Sequence, residues 1–409
     1  MPPKEDSVPA SWRTPATVLV CGGLILMLAL GMRQSFGLFL RPMSMDLGWG
    51  RETFSFAIAL QNLLWGLAMP FAGAIADRFG AGRVLVAGGV AYGLGLAGMA
   101  YSATPLALNL AAGLMIGVGL SCTGFGVVLG VVARAYPPEK RSVAVGIAGA
   151  AGSFGQFAML PGAQALISGF GWLNALLVLA LAAFLMIPLG AALAGRNAAA
   201  QESDQPIGAA LAEAAGHRGF WLLTASFFVC GFQTMFLMTH LPAYLVDQGL
   251  APAQGMAALA VIGLANIFGS YGAGVLGARY SKRLILAGFY ALRAVAIAIF
   301  LAAPLSAAGA YLFGAVFGLT FLGTVPLTNS LVGQIFGVKY LSTLFSICFL
   351  GHQLGAFIGA WAGGAVFDLT GSYQPVWLSA IALSVVAAAL CVPIDERAIA
   401  RPAARGAAA

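Results

Sequence analysis

Gly31-Met32-Arg33-Gln34-Ser35-Phe36-Gly37 sets an arginine inside an apolar run reaching from about 16 to 40. Two hundred residues later the pattern returns as Gly231-Phe232-Gln233-Thr234-Met235-Phe236, with an amide in place of the charge. A guanidinium at the centre of a membrane helix costs ~2.5–3.5 kcal/mol, so its presence there asks for a compensating role. The recurrence asks for a second copy of whatever surrounds it.

Composition supplies the setting. The chain of 409 residues is 60% hydrophobic and 8% charged, against about 25% charged in soluble domains. A soluble protein is excluded. The 55 glycines fit helices that approach closely in lipid. The apolar runs are continuous and about 20 residues long, as helices crossing ~30 Å of hydrocarbon require, and lack the alternation of a transmembrane β-barrel.

The runs fall at 16–40, 53–75, 84–101, 106–133, 142–168, 172–194, 219–246, 253–277, 284–303, 307–335, 342–367 and 373–393. That predicts twelve spans: tail 1–15, six-helix bundle 16–194, polar linker 195–218, six-helix bundle 219–393 and tail 394–409. The register of the two halves can be checked by subtraction. Gly31, Phe36 and Pro42 match Gly231, Phe236 and Pro242; Gly113 and Gly117 match Gly314 and Gly318; Ser142, Ile147 and Gly155 match Ser342, Ile347 and Gly355. The offset stays at 200 or 201. An even number of spans per half makes the repeats parallel.

Of the twenty Lys and Arg residues, sixteen collect on the face that carries the termini, Arg41 and Arg51 fall on the other, and Arg33 and Arg293 lie within spans. By the positive-inside rule both termini are cytoplasmic. The net charge of +7 thus reports topology and not a nucleic-acid partner. Cys21, Cys122, Cys230, Cys348 and Cys391 lie in spans without metal-ligand spacing and read as small apolar fillers. The first fifteen residues lack a cleavable signal, so the first span is expected to direct insertion. No nucleotide-binding loop, HExxH or nucleophile elbow occurs, which argues against an enzyme and against a resident cofactor or metal.

Gly73-Ala74-Ile75-Ala76-Asp77-Arg78-Phe79-Gly80-Ala81-Gly82-Arg83, read as a loop after the second span, resembles the signature of the major facilitator superfamily. Its echo at Gly274 to Arg283 keeps Arg279. The resemblance implies an all-α fold of two six-helix bundles, and a cytoplasmic latch made by Asp77, Arg78, Arg83 and Arg279. Tyr136 to Gly155 is similar to the signature of the monocarboxylate transporter and oxalate/formate antiporter branch, with Ala151 at a usual glycine. Animal monocarboxylate transporters carry an aspartate and an arginine at the positions of Asn266 and Ser270, and their first-span lysine aligns at Gln34. The eleventh-span lysine of the antiporter has His352 as its nearest counterpart.

The thirteen acids are all terminal, in loops or at span ends. No carboxylate sits mid-membrane to neutralise Arg33, so an anionic substrate would supply the missing charge. Two readings of Arg33 stand side by side: an anion clamp in a central cavity, or a side chain snorkelling from a point ~26 Å along its helix. His352, near the midplane, either couples proton movement or is satisfied by a neighbouring helix. Arg293, in the peripheral ninth span, reads as snorkelling or as an inter-helix contact. Gln233, Asn266, Gln353, Gln156 and Asn62 either face the cavity or glue helices together. His240 reads as interfacial.

The expected substrate site is Arg33, Gln34, Gln233, Asn266, His352 and Gln353, with His352 as the proton-coupling candidate. The expected function is secondary transport of a small mono- or dicarboxylate by a monomer in a bacterial-type inner membrane, by proton symport or anion exchange. A multidrug exporter of the same fold and a non-transporting membrane sensor are the alternatives.

Overall fold

The computed structural model of the chain describes residues 14–194, 207–337 and 340–399, and every regular element among them is helical. The first half comprises α1 (Pro15–Gln34), α2 (Gly37–Leu47), α3 (Arg51–Phe79), α4 (Ala81–Ala100), α5 (Pro105–Leu108), a π-helical stretch (Asn109–Met115), α6 (Ile116–Thr123), α7 (Phe125–Ala135), α8 (Pro138–Phe184) and α9 (Met186–Ala192). α10 (Ile207–Gly216) occupies part of the linker. The second half comprises α11 (Arg218–Asp247), α12 (Pro252–Arg279), α13 (Lys282–Ala302), α14 (Ala307–Thr320), α15 (Thr324–Phe336), α16 (Leu341–Thr370) and α17 (Gln374–Cys391).

Eleven helical stretches are long and apolar enough to cross a membrane. One of them, Ala144–Ala192, has 49 residues, more than twice what a single crossing needs. It folds at Gly171, where φ is 76°, a conformation glycine adopts without steric cost. Among the described residues the crossings therefore number twelve, as the apolar runs predict. Side chains such as Val20, Phe71, Leu181, Ile299, Leu312 and Val385 are exposed outward, which only a lipid solvent makes economical.

The repeat is visible in the packing. α1 lies along α8, and α11 along α16. A Cβ on Gly155 would collide with the carbonyl oxygen of Met27, and one on Gly355 with that of Phe228. The same glycine thus permits the same backbone approach in each half, and Gly31 and Gly231 repeat the device from the partner helix. The halves join through α3 against α16 and α8 against α12. These two interfaces exchange under the repeat offset, as a pseudo-two-fold axis requires.

The signature after the second span is mostly helix and not loop. α3 continues to Phe79, Gly80 turns with φ 95°, and α4 begins at Ala81. Arg78, Arg83 and Arg279 are exposed, and among the described residues none of them forms an ion pair. The side chain of Asp77 lies outside the described residues, as do 1–13 and the first half of the linker, 195–206.

Four spans break in mid-course: the first at Ser35 and Phe36, the fourth at Gly124, the sixth at Leu185 and the tenth between Thr320 and Thr324. Irregular backbone at membrane depth is tolerated where it is buried in protein or lines a cavity. The breaks in the first, fourth and tenth spans lie beside the central cavity.

Candidate functional site

Between the halves lies a cavity of about 820 Å³. Its first-half wall carries Arg33 and Gln34 from α1, Trp65 from α3, Phe125 from α7 and Ser153 and Gln156 from α8. Its second-half wall carries Thr234, Met235 and Met238 from α11, Ser270 and Tyr271 from α12, Phe321 and Leu322 from the break after α14, and Phe349, His352 and Gln353 from α16. The α8, α12 and α16 contributions lie toward the ends of those helices that share a face with the termini.

Arg33 occupies the last turn of α1 because the span stops at Ser35. A cation at a helix C-terminus is favoured by the macrodipole, typically by ~0.3–1 kcal/mol, which offsets part of its desolvation. Its Nη2 donates to Asn62 Oδ1 at 2.5 Å and to Met235 Sδ at 2.8 Å. Asn62 is itself oriented by donating Nδ2 to Ile58 O at 2.7 Å. The guanidinium lies 4.8 Å from the Trp65 ring centroid. Its Nε makes no hydrogen bond within the protein. Gln34 likewise donates to the thioether of Met238 at 2.6 Å. Both first-half donors therefore rest on sulfur of the second half, and a thioether is a weak acceptor.

His352 is buried, stacked on Phe349 with centroids 5.7 Å apart and set against Phe227 at 4.7 Å. Its Nδ1 pairs with Gln353 Oε1 at 3.1 Å. An amide oxygen accepts, so in the neutral ring Nδ1 carries the hydrogen and Nε2 is the acceptor. Nε2 is buried without a hydrogen-bond partner, and the Cys230 thiol lies close to the ring. Trp65 Nε1, Gln156 Oε1 and Gln353 Nε2 are also buried without partners. Such groups are rare in proteins, and their gathering around one cavity makes it the candidate ligand site.

Arg33, Gln34, His352 and Gln353 thus share one cavity. Gln233 and Asn266 do not line it. α11 is unbroken, and the face that presents Thr234, Met235 and Met238 turns Gln233 toward α13 and α17. There Gln233 donates to Ala380 O at 2.9 Å and to Ser384 Oγ, and accepts from Arg293 Nη1 at 3.2 Å. Asn266 Oδ1 accepts from the Leu322 N–H at 3.0 Å.

Arg293 is fully buried and does not snorkel. Its Nη2 donates to Thr320 O at 2.5 Å and Phe321 O at 2.9 Å, and its Nε to Thr320 Oγ1 at 3.1 Å. The break in the tenth span leaves carbonyls and an N–H without helical partners, and Arg293 and Asn266 satisfy them from either side. The two residues hold Phe321 and Leu322 in the cavity wall.

On the face opposite the termini the halves are locked together. Arg51 at the start of α3 holds Asp247 at 2.5 and 2.9 Å and donates to the Tyr373 hydroxyl at 2.8 Å. Asp368 accepts from the backbone N–H groups of Arg51 and Glu52 at 3.0 and 2.7 Å. His240, toward the outer end of the seventh span, is buried within the protein. It donates Nε2–H to Ala360 O at 2.7 Å and takes the Tyr373 hydroxyl at Nδ1, 3.2 Å away. Tyr373 links it to Arg51.

Trp65, Met235, Met238 and Phe349 escape the sequence reading, because an apolar side chain in an apolar span carries no mark of the cavity it faces. The Arg51–Asp247 pair joins residues that charge counting assigns to separate loops.

A duplicated twelve-span bundle, closed across one face and enclosing a partly polar cavity, defines a membrane transporter. The Major Facilitator Superfamily profile matches residues 20–337, and the chain belongs to that family, whose members are transporters and not enzymes. The uncharacterised MFS-type transporter YhjX of Escherichia coli is 26% identical over 360 residues, covering 85% of this chain and 87% of its own. Monocarboxylate transporter 13 of Rattus norvegicus is 24% identical over 375 residues, covering 90% and 86%. The structure of a bacterial homolog to the human lysosomal transporter Spinster, inward-facing and occupied, superposes with a TM-score of 0.69 at 16% identity, covering 94% and 95%.

Proposed function

We propose that this protein carries a small organic anion across a bacterial-type inner membrane by alternating access, as a monomer with both termini cytoplasmic. The observation that carries the reading is the state of Arg33. It is the cation of the central cavity, its partners are an amide oxygen, a thioether and an indole face, and its Nε is unpaired. A carboxylate accepts in two places and bonds to a charged donor roughly twice as strongly as a neutral group does. It would displace the thioether and supply the negative charge that the helices lack. The similarity to monocarboxylate transporter 13 supports the same class.

In this cycle the Arg51–Asp247 lock closes the outer face while the cavity serves the cytoplasm. Asp77, Arg78, Arg83 and Arg279 form the opposite latch when the cavity turns outward. His352 is the group through which protons enter. Its Nε2 offers an acceptor that has no partner within the protein. Phe227 and the Cys230 thiol of α11 face it, with Phe349 and Gln353 on its own helix.

Proteoliposome uptake of radiolabelled organic acids, with and without a pH gradient, tests the reading. Arg33→Gln is expected to abolish uptake while leaving the melting temperature within a few degrees. Undiminished uptake by that variant would remove the anion clamp, and accumulation of neutral or cationic compounds alone would favour an exporter of hydrophobic molecules.

A further inference from the structure

We propose, resting on the anion reading above, that the substrate is an aryl-substituted monocarboxylate: a planar aromatic body with one carboxylate, and not a short aliphatic acid or a dicarboxylate. The charge argument comes first. The cavity lining presents one fixed cation and, among the described residues, no acid. One carboxylate is matched at Arg33, whereas a second would be held in the membrane interior without a partner. The limit to one carboxylate follows from that count.

The aromatic body follows from the wall that leads away from Arg33. The guanidinium lies 4.8 Å from the centroid of Trp65. Trp65 meets Phe349 edge-on at 5.6 Å, with an interplanar angle of 75°. Phe349 is stacked on His352 at 5.7 Å and 4°. A continuous aromatic path therefore joins the cation of the first half to the histidine of the second. Each contact falls within the ~4.5–7 Å centroid spacing that aromatic pairs prefer, so a further ring laid along the wall meets geometry already in place.

Size agrees. The cavity of about 820 Å³ belongs to the ~300–1,000 Å³ class that encloses drug-sized ligands. A three-carbon acid bound at Arg33 fills a small fraction of it and leaves the aromatic wall wet. The unpartnered Trp65 Nε1, Gln353 Nε2 and Gln156 Oε1 add that the ring can carry an uncharged polar group, such as a hydroxyl or ring nitrogen. Binding such a ring would satisfy donors and an acceptor that the protein leaves idle.

The experiment uses the full chain, purified and shown to be folded by size exclusion and a cooperative melt. Equilibrium binding and proteoliposome counterflow are measured for phenylacetate, indole-3-acetate, lactate, formate, oxalate and the neutral phenylacetamide. The aromatic acids are expected to bind at least about tenfold tighter than lactate, formate or oxalate, with phenylacetamide showing no binding. Trp65→Leu and Phe349→Leu should each weaken the aromatic acids about threefold to tenfold, the range that aromatic contacts supply, and weaken lactate by a smaller factor. Lactate, formate or oxalate binding as tightly as the aromatic acids would overturn the proposal and leave the anion reading standing. Phenylacetamide binding as tightly as phenylacetate would overturn both, and so would folded protein that binds none of the six.

Discussion

The guanidinium of Arg51 holds both carboxylate oxygens of Asp247, at 2.5 and 2.9 Å. The two residues lie in different halves of the repeat, so the pair closes one face of the molecule. Their side chains are 12% and 23% exposed, which protects the pair from part of the screening that makes surface ion pairs weak. Asp368 reinforces the closure by accepting from the N-terminus of α3, where the helix dipole favours a carboxylate.

If that lock sets the conformational balance, Asp247→Asn should shift the population toward the opposite opening. A loss of ~1 kcal/mol corresponds to about a fivefold change. Thr239, buried about two turns before Asp247 on α11, can report it as Thr239→Cys in a background without native cysteines. Labelling by an impermeant maleimide is expected to rise about fivefold, and an unchanged rate would show that the pair does not control the gate.

Met235 gives a prediction of unusual sign. Its sulfur accepts from Arg33 and so competes with an incoming carboxylate. Met235→Leu keeps the volume and removes that acceptor. Substrate affinity is expected to stay level or improve by up to about threefold, less than 1 kcal/mol. A several-fold loss would mean that the thioether belongs to the binding surface.

Asn62 acts on the same cation in the opposite direction. Asn62→Leu removes an acceptor aimed at Arg33 from a fixed amide, and hydrogen bonds to charged groups contribute ~1.5–3 kcal/mol. Affinity measured by titration calorimetry should fall about tenfold or more. Unchanged affinity would show that the guanidinium is held by its own helix end.

Arg293 is expected to matter for stability first. Arg293→Met leaves the carbonyl of Thr320 unpaired, at a cost of ~1–3 kcal/mol, leaves that of Phe321 only the weak Cys230 thiol donor, and frees the Gln233 amide oxygen. The detergent-solubilised protein should melt several degrees lower, with Arg293→Lys recovering part of the loss through a single donor. A wild-type melt in Arg293→Met would show that the break in the tenth span needs no capping.

The glycines separate in the same way. A Cβ at Gly355 meets the Phe228 carbonyl, whereas one at Gly146 meets nothing within 4 Å. Gly355→Ala should destabilise by ~1–3 kcal/mol, as overpacking does, and Gly146→Ala should leave the melt unchanged.

The sequence by itself determined the membrane setting, the twelve crossings and the duplication. Each rests on what a span needs regardless of its neighbours: enough apolar residues to cross hydrocarbon, loops that carry charge, and a register that subtraction exposes. It also singled out Arg33, since a guanidinium within an apolar run is conspicuous wherever it points. Tertiary structure alone decided which polar residues face the cavity. One step along a helix turns a side chain by about 100°, and that step separates Gln233, committed to Arg293 and Ser384, from Thr234 in the cavity wall. The span breaks were decided there too, because the groups that satisfy their freed backbone, Arg293 and Asn266, come from other helices. The outer lock, joining Arg51 to Asp247 across 196 positions of chain, exists only once the two halves are set face to face.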